Sequence, residues 1–279
     1  MMSGDVRQMS KIRAVQSLVF SPTGTTRRVV TKVSEGMGVG LVDYIDLTTP
    51  KSRDEWSGEV NGDLLLMGVP TYYDTIPSIL LDHFNKLQGK GKWAVPITVY
   101  GNVSPGACLQ ELCGLLKSRG FRILAAANFI GEHAFSSEDV PLSFGRPDEK
   151  DLETAYDFGK RVREKINSNQ VEVKLDAAEL KVGRNYARRR EEYPENDVVS
   201  LARVDFNESK CTRCLECVGV CPSGAIDAES LAIDDGLCFR CFACSRACPS
   251  DALKPVLVND IVDYFRSILD KRQEPALFT

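Results

Sequence analysis

The stretch CTRCLECVGVCP, residues 211 to 222, separates four cysteines by two, two and three residues and follows the last with proline. The stretch CFRCFACSRACP, residues 238 to 249, repeats this pattern, with sixteen residues between Cys221 and Cys238. Gaps of two residues let consecutive thiolates of one loop reach a single inorganic centre, while a fourth thiolate arrives from elsewhere in the fold. The repeated spacing is therefore typical of iron-sulfur ligation.

The spacing and the prolines resemble those of bacterial two-cluster ferredoxins, in which the fourth cysteine of each run binds the cluster of the other run. The resemblance covers about residues 201–254 and implies two 4Fe-4S clusters in a small α+β domain. The implied ligands are Cys211, Cys214, Cys217 and Cys248 for one cluster, and Cys238, Cys241, Cys244 and Cys221 for the other. Structural zinc, or one cluster beside a degenerate copy, stay open as alternatives.

Composition places the chain in a reducing compartment. Eight of the ten cysteines lie between Cys211 and Cys248, and the first residues lack the apolar core of a secretory signal, so we expect metal ligation in the cytoplasm rather than disulfides. The net charge of -4 lacks the basic excess that favours nucleic acid as a partner. No stretch approaches the roughly 20 apolar residues of a membrane span.

The start of the chain predicts a strand, a turn and a helix. The run RAVQSLVF, residues 13–20, is apolar and rich in β-formers, and SPTGTTRRVVTKVSEG, residues 21–36, follows it at once. The backbone N–H groups and the dipole of a helix N-terminus favour an anion, and hydroxyl side chains can add donors. A phosphate monoester fits such a loop, although Ser, Thr and Gly also make ordinary turns.

Strand and helix patterns alternate from there to about residue 166, which predicts a parallel sheet with helices on both faces. Two further loops follow predicted strands: VPTYYDTIP, residues 69–77, and YGNVSPGA, residues 100–107. Ligands of open α/β sheets bind at the carboxyl ends of the strands, so the three loops predict one binding site.

These three loops, over about residues 11–167, resemble those of flavodoxins. The resemblance implies a doubly wound, five-stranded parallel sheet of order 2-1-3-4-5 that binds FMN. It implies phosphate contacts from Ser21, Thr23, Gly24, Thr25 and Thr26, and isoalloxazine contacts from Thr71, Tyr72, Tyr73, Gly101 and Asn102. For the two tyrosines, partial burial at a strand edge is the alternative to stacking on the ring.

The remaining features carry less chemistry. His133 could lie near the flavin pocket but is more typical of a structural residue. Cys108 and Cys113, on the helix after the third loop, are expected to pack in the hydrophobic core. Residues 168–200 are polar and charge-rich and are interpreted as a linker. Residues 255–279 contain apolar residues at helical spacing, which predicts an amphipathic helix packed on one of the two domains.

The resemblance as a whole is to a flavodoxin–ferredoxin fusion, so the first hypothesis is an electron carrier between larger redox proteins in an anaerobic type of metabolism. The second hypothesis is an FMN-dependent reductase of a quinone-like acceptor or of a protein-bound metal cofactor, fed by the clusters. The third is a redox sensor. The sequence contains no acid–base pair or nucleophile that points to bond-making, and it does not indicate the oligomeric state.

Overall fold

A computed structural model describes residues 12–168, 172–173, 175, 201–269 and 271–279. Its main sheet begins with β1 to β6, which are Ala14–Val19, Gly40–Asp46, Leu64–Pro70, Trp93–Tyr100, Arg122–Ile123 and Ala126–Ile130. The strands coincide with the apolar runs of the sequence. Strands β3, β4 and β6 are mainly apolar because they are buried on both faces.

The sheet has the predicted doubly wound fold, but it contains seven strands, and not five, among the residues that the structure describes. The sheet runs β2-β1-β3-β4-β6, with these strands parallel and the two-residue β5 pairing with β4. Counting the long strands alone, the order is 2-1-3-4-5, which is the flavodoxin-like order of doubly wound sheets. A last strand, β9 (Ala276–Phe278), pairs antiparallel with β6 at the sheet edge. Sequence analysis did not predict this strand.

Helices cover both faces of the sheet. On one face α1 (Thr25–Met37) and α5 (Glu149–Asn167) form one hydrophobic core with the strands. On the other face a second core contains α4 (Cys108–Ser118) and the short α3 (Leu81–Phe84). The six-residue α2 (Pro50–Glu55) was not predicted; the Thr49 hydroxyl caps it by accepting a bond from Ser52 N at 3.2 Å.

Glycines let α1 and α5 approach closely. A Cβ at Gly159 would lie 2.2 Å from the backbone oxygen of Val33, and one at Gly36 would lie 2.0 Å from that of Tyr156.

We expect Gly159→Ala to lower the free energy of unfolding by about 2 kcal/mol or more, since the backbones must separate. Gly114→Ala, in the exposed middle of α4 with no atom within 4 Å of the added Cβ, is the matched control and should stabilise by about 0.5–1 kcal/mol. Urea unfolding of both variants measures the difference; equal effects would contradict the close contact.

The C-terminal part is a small α+β unit. Strands β7 (Ala202–Phe206) and β8 (Leu253–Leu257) form an antiparallel pair, and between them lie α6 (Glu216–Val220) and α7 (Ala243–Ala247). Beyond β8, α8 (Asn259–Arg266) accounts for part of the predicted tail helix. The tail then returns to the main sheet as β9, so it contacts both parts of the chain.

The expected linker, residues 168–200, lies almost entirely outside the described residues. Among those that the structure describes, each helix is too short or too polar to cross a bilayer.

Candidate cofactor sites

The structure brings the fourth cysteine of the first run to the first three cysteines of the second run. Cys221, Cys238, Cys241 and Cys244 line one small cavity that opens to solvent. Burial, and then the nearby thiols of Cys238 and Cys221, raise the pKa of Cys244 to about 12. We call these four residues the inner cysteine group.

The other four cysteines of the two runs form the outer cysteine group, which consists of Cys211, Cys214, Cys217 and Cys248. Burial raises the pKa of the Cys217 thiol, and the neighbouring thiols of Cys214 and Cys248 raise it further, so the second run supplies the fourth member here too. Cys214 is exposed and Cys211 and Cys217 are half-buried, whereas three members of the inner group are buried. The outer group therefore lies closer to solvent.

The two runs have matching backbone conformations. Leu215 and Phe242, each directly after the second cysteine of its run, adopt positive φ angles of 63° and 55° and start the short helices α6 and α7. Backbone amides then point at sulfur: Ala225 N lies 3.3 Å from Cys221 Sγ, and Ala252 N lies 3.2 Å from Cys248 Sγ. N–H donors favour the thiolate form that binds iron and tune the potential of a cluster. The cavity and these donors fit a 4Fe-4S cluster.

Nowhere in the described ranges do three or more His, Cys, Asp or Glu side chains converge on the position of one metal ion. A cubane accepts one thiolate at each of four irons, so its ligands stand around a cluster and do not meet at one point.

The predicted phosphate loop joins β1 to α1. Gly24 caps α1 with φ 82°, a conformation that glycine adopts without strain, and the first turn of this thirteen-residue helix contains no acidic residue. Ser21 Oγ accepts a bond from Arg27 N at 3.0 Å, and Thr23 and Thr25 place their hydroxyls 3.4 Å apart. The Thr26 hydroxyl is buried and has no hydrogen-bond partner among the described residues. Free helical N–H groups, the helix dipole and an unpaired hydroxyl fit a phosphate.

The second loop contacts the inner cysteine group. Tyr72 packs edge-on against Phe239 with 5.3 Å between ring centroids, and the Tyr73 hydroxyl donates to the Phe239 carbonyl at 2.9 Å. Burial, and then the nearby Cys241 thiol, raise the pKa of Tyr72. Thr71 lies at the end of β3, where its amide donates to Val99 O at 2.8 Å. The predicted aromatic loop thus lies between the sheet edge and the inner group.

Residues of the third loop are held by other parts of the protein. Asn102 is buried, accepts a bond from Gln273 N at 2.9 Å and donates to the Lys271 carbonyl, so the C-terminal tail engages its amide. A Cβ at Gly101 would lie 2.3 Å from the His133 ring. A flavin ring that contacted Asn102 would have to replace its bonds to the tail. The isoalloxazine contacts of this loop therefore stay a prediction.

His133 and the two helical cysteines are structural. Burial, and then Arg246, lower the pKa of His133 to about 4, so the ring is neutral, and Nδ1 accepts a bond from Phe135 N at 3.0 Å. Cys108 and Cys113 are buried in the core, as predicted, and burial raises the pKa of both thiols, to about 12 for Cys113.

Sequence analysis missed the residues that join the two sites. Arg53 of α2 donates to the carbonyl of Pro222, next to Cys221, and Arg246 of α7 donates to Glu132 Oε1 at 2.8 Å. Phe239, between the first two cysteines of the second run, contacts Phe20 after β1 at 6.3 Å between centroids. Phe239 could have been found from the sequence, because it is an aromatic residue within a cysteine run. Nothing in the sequence marks Arg53 or Arg246 as contacts between the two sites.

Residues 204–227 match the family model of the 4Fe-4S binding domain. The chain therefore contains a 4Fe-4S binding region, which follows a doubly wound sheet with the flavodoxin-like strand order. No curated protein matches the chain.

Several solved structures are similar to the N-terminal part of the chain at low identity. A flavodoxin from the domain Archaea is 16% identical, covers 55% of this chain and 98% of its own, and has a TM-score of 0.39. Megasphaera elsdenii flavodoxin is 14% identical over 54% of this chain and 98% of its own, with a TM-score of 0.36. Rubredoxin oxygen:oxidoreductase from Desulfovibrio gigas is 15% identical over 56% of this chain and 36% of its own, with a TM-score of 0.40.

Proposed function

We propose that this chain is an electron-transfer protein that binds two 4Fe-4S clusters and one FMN and exchanges electrons with redox partner proteins. The observation that carries the proposal is the position of Phe239. Its side chain lines the cavity of the inner cysteine group and packs against Phe20 and Tyr72, which follow β1 and β3 at the carboxyl edge of the sheet. A single aromatic side chain thus separates a candidate cluster site from the flavin loops.

Polar contacts fix this separation. The Tyr73 hydroxyl bonds to the Phe239 carbonyl, Arg53 bonds to the Pro222 carbonyl, and Arg246 bonds to Glu132 and, at 3.0 Å, to the His133 carbonyl. Each bond joins the ferredoxin region to the flavodoxin-like domain. Electron transfer depends on a short and constant distance between centres, which is what these bonds maintain.

Each candidate site has a defined task. When bound, the clusters supply one-electron chemistry and FMN supplies one- or two-electron chemistry. The inner and outer cysteine groups provide four thiolates each, and backbone amides of Ala225 and Ala252 stabilise the negative charge on sulfur. The phosphate loop, from Ser21 to Thr26, would bind the FMN phosphate through N–H groups at the start of α1.

The outer cysteine group suits exchange with a partner protein. Cys214 is exposed, and the adjacent Leu215 has 42% of its surface exposed. A partner that docks there would approach the outer cluster, while the inner cluster faces the flavin loops. We therefore propose redox proteins as donor and acceptor, with the outer group as one docking point.

Cofactor analysis of protein purified without oxygen tests the function. We expect about eight irons and one FMN per chain, and stepwise reductive titration followed by visible absorbance and EPR should reveal both kinds of centre. A colourless preparation, or zinc in place of iron, would contradict the proposal. The reduced protein should pass electrons to cytochrome c, and saturable turnover with menadione in its place would favour the reductase hypothesis.

A further inference from the structure

Two buried guanidinium groups flank the inner cysteine group. Arg240 is 1% exposed and lies between Cys238 and Cys241 in the chain, and Arg53 is 5% exposed and reaches the residue after Cys221. They come from different parts of the fold, since Arg53 belongs to α2 of the flavodoxin-like domain.

Arg240, two residues after Cys238, is fixed by bonds to the protein. Its Nε donates to Ala202 O at 2.9 Å, its Nη2 donates to Asp235 at 2.8 Å, and its Nη1 has no hydrogen-bond partner among the described residues. An arginine stays charged even when it is buried. The Asp235 side chain is 70% exposed, so water screens the carboxylate and a net positive charge stays beside the cysteine.

Arg53 directs its charge at the same group without a bonded carboxylate among the described residues. Its Nη1 donates to the carbonyls of Leu47 and Thr48, each at 2.9 Å, and its Nη2 donates to the carbonyl of Pro222. Burial lowers the pKa of Arg53, and Asp54 and Cys221 counteract this change. An arginine stays charged under these conditions.

The equivalent arginine of the outer group has a different environment. Arg213 occupies the position in the first run that Arg240 occupies in the second, with φ 55° against 60°. Arg213 is nevertheless exposed and donates to the Glu229 carbonyl, so water screens its charge. Equivalent residues of the two runs thus differ in burial and in their partners.

We propose that Arg53 and Arg240 raise the reduction potential of the centre held by the inner cysteine group. One-electron reduction of a cluster held there, by a redox protein that is itself oxidised by one electron, would add one negative charge to the site without forming or breaking a covalent bond. Burial opposes the added negative charge, whereas the two guanidinium groups stabilise it. The arginines therefore keep the centre beside the flavin loops reducible. This inference rests on the proposed function, because it requires an inner cluster.

EPR-monitored potentiometric titration of the full-length, cofactor-loaded protein tests the inference. We expect Arg240→Gln and Arg53→Gln each to lower one of two cluster potentials by at least about 59 mV, which is a tenfold change in a one-electron equilibrium. Arg240→Lys retains the charge and should therefore keep the potential close to that of the wild-type protein. Arg213→Gln is the matched control and should leave both potentials unchanged.

Iron and FMN content separate the two ways in which the experiment could fail. Iron-replete Arg240→Gln and Arg53→Gln proteins whose potentials equal those of Arg213→Gln would overturn the inference alone. If Arg240→Gln loses iron, the cluster potentials of Arg53→Gln decide the test, since the Arg53 side chain lies outside the cysteine runs. Wild-type protein with fewer than two reducible clusters would overturn both the proposed function and the inference.

Discussion

The substitution Thr25→Glu is expected to leave the protein folded and its iron content unchanged but to weaken FMN binding by at least about a hundredfold. Thr25 is the first residue of α1, where the proposed phosphate site lies. Two unit charges at 4 Å repel each other by about 4 kcal/mol at an effective dielectric constant of 20, which is about a thousandfold in affinity. Screening at this half-exposed position reduces the effect.

The same substitution should not destabilise the helix. A carboxylate in the first turn interacts favourably with the helix dipole, by about 0.3–1 kcal/mol, and the first turn of α1 has no acidic residue of its own. Loss of FMN could then be separated from unfolding. Thr25→Ser, which keeps the hydroxyl, is the control, and FMN fluorescence quenching on titration into flavin-free protein gives both affinities. Equal affinities for Thr25→Glu and Thr25→Ser would contradict the phosphate-loop assignment.

The sheet could be predicted from sequence because its signal is local. Runs such as WAVPITVY, residues 93–100, and the turn around Gly24 are recognised within a few residues, and the alternation of strands and helices predicts a parallel sheet. The strand order itself was implied by the resemblance to flavodoxins. The short α2 also carried a local signal, Thr49 followed by Pro50, but its polar sequence lacks an apolar period.

Contacts between distant segments could not be predicted in this way. Asn102 carries the same sequence signal whether it faces a flavin or bonds to Lys271 and Gln273, which lie about 170 residues further along the chain. Arg213 and Arg240 are equivalent within the two repeats, yet only Arg240 is buried, because β7 and the inner cysteine group enclose it. Strand β9 has three residues, which is too short for a recognisable period.

The second large effect concerns the crossed arrangement of the cysteines. Cys221→Ala should roughly halve the iron content, from about eight to about four per chain, because the inner group loses one of its four thiolates. Cys221 belongs to the first run by sequence, but its thiol lines the cavity of Cys238, Cys241 and Cys244. Flavin content should fall little, since the phosphate loop lies outside the ferredoxin region.

Alkylation identifies which cluster is lost. Thiols that no longer bind iron react with iodoacetamide, so mass spectrometry of Cys221→Ala should find labels on Cys238, Cys241 and Cys244 and protection of the outer group. Cys248→Ala is the matched variant and should give the reverse pattern, with labels on Cys211, Cys214 and Cys217. Ligation within each run would exchange these two patterns, since Cys221 would then serve the same cluster as Cys211. Labelling of Cys211, Cys214 and Cys217 in Cys221→Ala would therefore refute crossed ligation.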